Sequence, residues 1–127
     1  MAGPDPSNPA NAIPVYIASG AVGAGATPRA GTVSVVTTGG TAVTAITGPI
    51  SGGYITNPSN TAGQGISALE NLYVDPVVAP ALTDGTAVGT TTTLSPGQSY
   101  NLFSVATGVL VRVNAATSGH KFVIVVW

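Results

Sequence analysis

Seventeen glycines and ten prolines are spread along these 127 residues, and they leave no stretch in which a helical stripe of apolar residues can persist. Glycine raises the entropic cost of a helix interior, and proline both lacks a donor and clashes with the preceding turn. Between these breaks lie short runs rich in Val, Thr and Ile, residues that favour strands. Strand-like runs recurring roughly every 8–12 residues, punctuated by Gly, Pro and Asn, read as an antiparallel β-sandwich or a jelly-roll-like barrel. The expected fold class is all-β.

Several elements can be placed. "GTVSVVTTGGTAVTAITGP" carries a Gly39-Gly40 pair that predicts a hairpin, with Val36 facing Val43 and Val33 facing Ile46. "SGGYITNPSN" is a strand ended by Asn57-Pro58. "GQGISALENLYVDPVVAP" mixes helical and extended spacing, and is read as a strand through "NLYVDP" preceded by a single turn. Asp84-Gly85 and Pro96-Gly97 mark turns. In "GVLVRVN", Val109, Val111 and Val113 point one way, while Leu110, Arg112 and Asn114 point the other. "PVYIASGAVGAGATPRAG" reads as a short strand and a glycine-rich connection. Residues 1–14 hold Pro4, Pro6, Pro9 and Pro14 and are expected to form an extended, polyproline-like arm; residues 15–127 are expected to form one β-sandwich domain.

Charge narrows the function. Charged residues make up 6% of the chain, where an ordinary domain carries about 25%. Arg29, Arg112 and Lys121 are scattered, whereas neutralising a run of phosphates or adsorbing to anionic lipid takes a basic cluster. Neither nucleic acid nor a membrane is an expected partner. The longest apolar run, "FVIVVW", is far shorter than the roughly 20 residues of a spanning helix. The opening "MAGPDPSNPANAIP" has no basic start and no apolar segment of a secretory signal, so synthesis in the cytoplasm without processing is expected. A surface so poor in charge suits a chain packed against other proteins.

Chemistry finds little support. There are no cysteines. Of the carboxylates, Asp5 lies in the arm and Asp84 in a turn, leaving Glu70 and Asp75, which an extended chain would send to opposite faces. One is expected to be solvated and the other to form a turn. His120 has no G-x-S-x-G partner motif and too few companions for zinc, and is read as a hydrogen-bonding turn residue. "SGAVGAGA" lacks the spacing and the lysine of a phosphate loop. No enzyme activity and no cofactor are expected. A sugar-binding module would draw on Tyr16, Tyr54, Tyr73, Tyr100, Phe103 and Trp127, although aromatics in strands more often pack the core.

The closing strand carries the sharpest expectation. Alternation places Phe122, Ile124 and Val126 on one face and Val123, Val125 and Trp127 on the other. A continuous apolar run means that both faces are covered, and a sandwich covers only one. The second face must meet the chain's own arm, a loop or a neighbouring subunit. A contact between subunits is the favoured reading, with Pro4, Pro6 and Pro9 in the arm and Phe122, Val123, Val125 and Trp127 in the strand as the interaction residues.

"GGYITNPSNTAGQGISALENLYVDPV", "LSPGQSYNLF" and "VNAATSGHKFVIVVW" together resemble small virion-associated proteins encoded beside capsid genes in tailed bacteriophages. In that group the patterns "G-Q-G-I … E-x-L-Y-V" and "V-N-A-A-T-S-G-H-K-F" recur, and the likeness spans about residues 31–127. The resemblance implies a head decoration, or cement, protein. Such a protein is a β-rich subunit, often a homotrimer, that binds the major capsid protein on the outside of the shell and clamps capsomers together. It also implies location on the virion surface and no catalytic or cofactor residues. A tail or head-fibre component, or a glycan-binding module, are the alternatives.

Overall fold

The computed structural model describes residues 27–82 and 89–127. Among the described residues nine short strands carry the fold. They are β1 (Val35–Val36), β2 (Val43–Thr47), β3 (Gly53–Thr56), β4 (Leu72–Asp75), β5 (Thr92–Leu94), β6 (Ser99–Leu102), β7 (Leu110–Asn114), β8 (His120–Lys121) and β9 (Val123–Val126). A single 3-10 turn, Thr61–Gln64, stands between β3 and β4. The all-β expectation holds.

The strands form a four-stranded sheet in the order β2-β7-β4-β5, a three-stranded sheet β6-β3-β9, and the pair β1-β8, all antiparallel. Their inward residues meet in one cluster. Ile46, Val111, Val113, Leu72 and Val74 come from the larger sheet, Ile55, Leu102, Ile124 and Val126 from the smaller one, and Val36 and Phe122 from beside them. The arrangement is sandwich-like: each sheet contributes every second residue to a shared interior. Residues 29–36 run along the outer edge of β8 and β9. Arg29 exchanges both backbone hydrogen bonds with Val126, and Phe122 N donates to Ser34 O at 2.9 Å. Thr32 N donates to Ala45 O, so this segment also reaches the larger sheet. Gly31 fits between them because a Cβ there would lie 2.6 Å from both Ala45 O and Ile124 Cγ2.

One expectation needs correction. Residues 38–41 do form a turn, with Thr41 N donating to Thr38 O, but the strands beside it do not pair with each other. Val36 is opposite His120 and Val43 is opposite Val113, so the predicted hairpin is instead a crossing from one sheet to another. Gly39 is held in that crossing by Ser118 Oγ and packs against Ala116, contacts that draw the turn away from a simple hairpin. Within the described residues of the single chain, the strand buried on both faces is β4. All four of its residues are buried. The connection after Asp75 folds back over its outer face, and Asn114 Nδ2 donates to Pro80 O at 2.8 Å.

The strand through "NLYVDP", its preceding turn, the Pro96-Gly97 turn and the alternation in β7 all stand as expected. The arm, its boundary at residue 14, Tyr16, the segment "PVYIASGAVGAG" and the Asp84-Gly85 turn lie outside the described residues.

Candidate functional site

The outward face of the β6-β3-β9 sheet is set by strand register. Val125 stands beside Tyr54, which stands beside Asn101; one step along, Val123, Thr56 and Ser99 form the next row. Thr56 Oγ1 and Ser99 Oγ share a hydrogen bond of 2.6 Å, so that row is polar toward β6 and apolar toward β9. At the other end, Trp127 continues β9: its N donates to Gly52 O, and its O accepts from Ser51 N. The indole lies against Gly52, where an added Cβ would come 3.0 Å from Trp127 Nε1. That nitrogen is buried and has no acceptor among the described residues.

The face is uncharged and only partly covered. Val123 is 45% exposed, Tyr54 36% and Phe103, just past β6, 84%; Val125 and Trp127 are half-buried. Predicted alternation is therefore correct along the whole strand, since Phe122, Ile124 and Val126 are buried in the core. Phe122 is thereby corrected as an interaction residue: at 3% exposure it is a core side chain, and the outward set is Val123, Val125 and Trp127. Pro4, Pro6 and Pro9 lie outside the described residues. Of the aromatics considered for sugar stacking, Tyr73 is buried and Tyr100 packs against the core, whereas Tyr54, Phe103 and Trp127 face outward or lie at the edge.

A second cluster was not foreseen. His120 is hydrogen-bonded as expected, but it opens β8 with a fully buried side chain rather than standing in a turn. Its Nδ1 lies 2.7 Å from Glu70 Oε2 and its Nε2 lies 2.8 Å from Asn57 Oδ1. Asn57 Nδ2 donates to Glu70 O and to Leu94 O. Thr117 donates twice to Glu70, from Oγ1 to Oε1 at 2.6 Å and from N to Oε2 at 3.1 Å. Gln64, in the 3-10 turn, brackets the backbone of Lys121 with both ends of its amide. Glu70 is thus not the solvated carboxylate expected, its side chain being 8% exposed. Burial opposes its ionisation, but the hydrogen bonds from Thr117 Oγ1, His120 and Thr117 N outweigh that and hold its pKa below the ordinary 4.5.

Asp75 does form the turn predicted for one of the two carboxylates. Its Oδ1 accepts from Val77 N, Val78 N and Thr90 Oγ1, and its Oδ2 accepts from Thr91 Oγ1. Both ends of the β4–β5 connection are therefore fastened to one buried carboxylate. Burial works against the charge, yet the donors from Val78, Thr90, Thr91 and Val77 prevail and lower its pKa from 3.8. The sign follows: Asp75 contributes stability that is complete above its ordinary value and is lost as pH falls through the lowered one. Asp75→Asn is expected to lower stability by about 1–3 kcal/mol at neutral pH, because an amide places two hydrogens among four donors. In a urea titration repeated across pH, the gap between wild type and variant closes in acid; a constant gap would contradict this assignment.

The histidine cluster cannot act on an outside molecule as it stands. Both ring nitrogens are occupied, the ring is enclosed, and no hydroxyl is bonded to it that could become a nucleophile. Among the described residues no three His, Cys, Asp or Glu side chains gather into a metal-sized group. Among the described residues, the outward face of β9 holds three of the predicted interaction residues, Val123, Val125 and Trp127. No known protein family, curated protein or solved structure matches this chain.

Proposed function

We propose that this chain is a structural virion protein, a head decoration subunit that assembles as a homotrimer on the outer surface of the major capsid protein and ties neighbouring capsomers together. The observation that carries the reading is the uncharged outward face of β9, where Val123, Val125 and Trp127 stay half-open beside Tyr54. Apolar side chains gathered on one surface and left in water are favoured sites of association. The chain offers little charge for repulsion between copies and no motif of catalysis, and both suit a load-bearing shell protein. The likeness to small phage virion proteins supports the same reading, with location on the capsid surface after synthesis in the host cytoplasm.

Mechanically, each copy adds a modest contact and the shell multiplies it. In this proposal the Pro-rich residues 1–14 take part in shell binding, and linked contacts then act at high effective concentration. Purified protein is expected to bind empty capsid shells and to raise their melting temperature. Deleting residues 2–12 is expected to abolish shell binding while leaving the trimer intact. Undiminished binding by the deleted form would remove the arm from the mechanism, and failure of the full chain to bind shells would remove the function.

One observation favours a second reading. Tyr54 and Phe103 are exposed on or beside this face, with Trp127 at its edge and the amide of Asn101 next to Tyr54. Aromatic surfaces beside amide groups are what a neutral sugar would use. A change in Trp127 fluorescence on titration with glycans, without binding to shells, would favour that module over the cement protein.

A further inference from the structure

We infer that Asn57, Glu70, Thr117 and His120 form a proton-sensitive clasp, closed when a single hydrogen lies between Glu70 Oε2 and His120 Nδ1 and opened when a second proton reaches Glu70.

The argument rests on counting hydrogens. Asn57 Nδ2 has two, and both point at backbone carbonyls, those of Glu70 and Leu94. Only the oxygen of the amide is left for the ring, so His120 Nε2 must donate. Glu70 accepts from Thr117 N and Thr117 Oγ1, which leaves Oε2 facing His120 Nδ1 across 2.7 Å. A contact of that length between an oxygen and a ring nitrogen needs one hydrogen in it. With none, a lone pair on Nδ1 meets a carboxylate; with two, an O–H meets an N–H. Both cases break the bond inside an enclosed site, where an unpaired polar group is most costly.

Donors from Thr117 favour the carboxylate, so the hydrogen in the contact belongs to the ring nitrogen and Glu70 accepts it. No other charged side chain is bonded to either partner among the described residues; Lys121, next in the chain, is exposed and engages Gln64 only through its backbone. The clasp joins segments distant in sequence. It fastens the end of β3, the approach to β4 and the β7–β8 loop, and through His120 it holds the β1-β8 pair. Opening it frees these segments together while the core of the two sheets stays packed, which makes it a local switch.

The signs are fixed by the chemistry. On the acid side, ionised Glu70 contributes stability that is complete above its ordinary 4.5 and lost as pH falls through its lowered value. Urea midpoints of the wild type are therefore expected to exceed those of Glu70→Gln by a gap that is open at neutrality and narrows as pH falls through the lowered value of Glu70. Asp75 is present in both proteins, so its own acid loss cancels in that gap. A gap that does not change with pH would overturn the clasp. The wild type alone supplies a second test should Glu70→Gln not fold: nitrogen-15 spectra of the His120 ring are expected to show hydrogen on Nε2, the nitrogen that faces Asn57 Oδ1. A bare Nε2 would overturn the clasp as well.

Discussion

Replacing His120 by alanine is expected to lower the stability of the folded chain by about 3–5 kcal/mol, the cost typical of breaking a buried charged pair by removing one partner. Three losses combine. Glu70 keeps its charge in an enclosed site with only the two Thr117 donors. Asn57 Oδ1 loses its donor while its amide hydrogens remain tied to Glu70 O and Leu94 O. The ring also leaves a cavity between β8 and the β3–β4 connection, which a packed interior fills only in part. For a domain whose whole stability is expected to be about 5–15 kcal/mol, this is a large share. Urea denaturation followed by Trp127 fluorescence measures it. A loss below about 1 kcal/mol would mean that solvent enters the site and satisfies these groups, so that the network is not an enclosed one.

Val125→Asp is expected to turn the proposed trimer into a folded monomer. Val125 lies in the middle of β9, opposite Tyr54, with its side chain half-buried on the outward face. In the isolated subunit an aspartate there reaches water, and its penalty is a strand preference of the order of 1 kcal/mol. In the proposed assembly the same carboxylate is desolvated in every copy of the interface. An unpaired buried charge costs several kcal/mol per site, enough to dissociate a modest contact. Ile124→Asp, whose side chain points into the core, is the natural comparison and is expected to unfold the chain. Should Val125→Asp also unfold it, the outward face would be a part of the core rather than an interface.

How far the sequence reveals this architecture depends on the range of the interaction. Period-two alternation is a property of neighbouring residues, and it places Phe122, Ile124 and Val126 inside and Val123, Val125 and Trp127 outside as the fold does. Turn chemistry is equally local, which is why Pro96-Gly97 and the bend at Gly39-Gly40 are both real turns. Which strand pairs with which is decided elsewhere. Val36 meets His120 across 84 positions, and no local signal distinguishes that partner from Val43, a few residues away. The clasp is hidden for the same reason: Glu70 and His120 are fifty positions apart and Asn57 and His120 sixty-three. One clue was available. A chain so poor in charge has little use for an isolated histidine and glutamate within apolar segments unless they satisfy each other.

The reading of β9 shows the limit of composition. A continuous apolar run predicts a strand covered on both sides, yet the doubly covered strand is "LYVD", whose outer face holds Tyr73 and the well-bonded Asp75. Polar residues can line a covered face when every hydrogen bond is made, and apolar residues can stand on an open one when a partner is to cover them. In this chain the first situation describes β4. The second is the substance of the functional proposal for β9.

The most direct test of that proposal is the solution mass of the purified protein, measured by light scattering after size-exclusion chromatography. The account predicts a stable species with three times the mass of the 12.4 kDa chain, which Val125→Asp reduces to one. A clean monomer for the wild type at every concentration would contradict it, and would mean that the outward face of β9 is not a contact between copies of this chain.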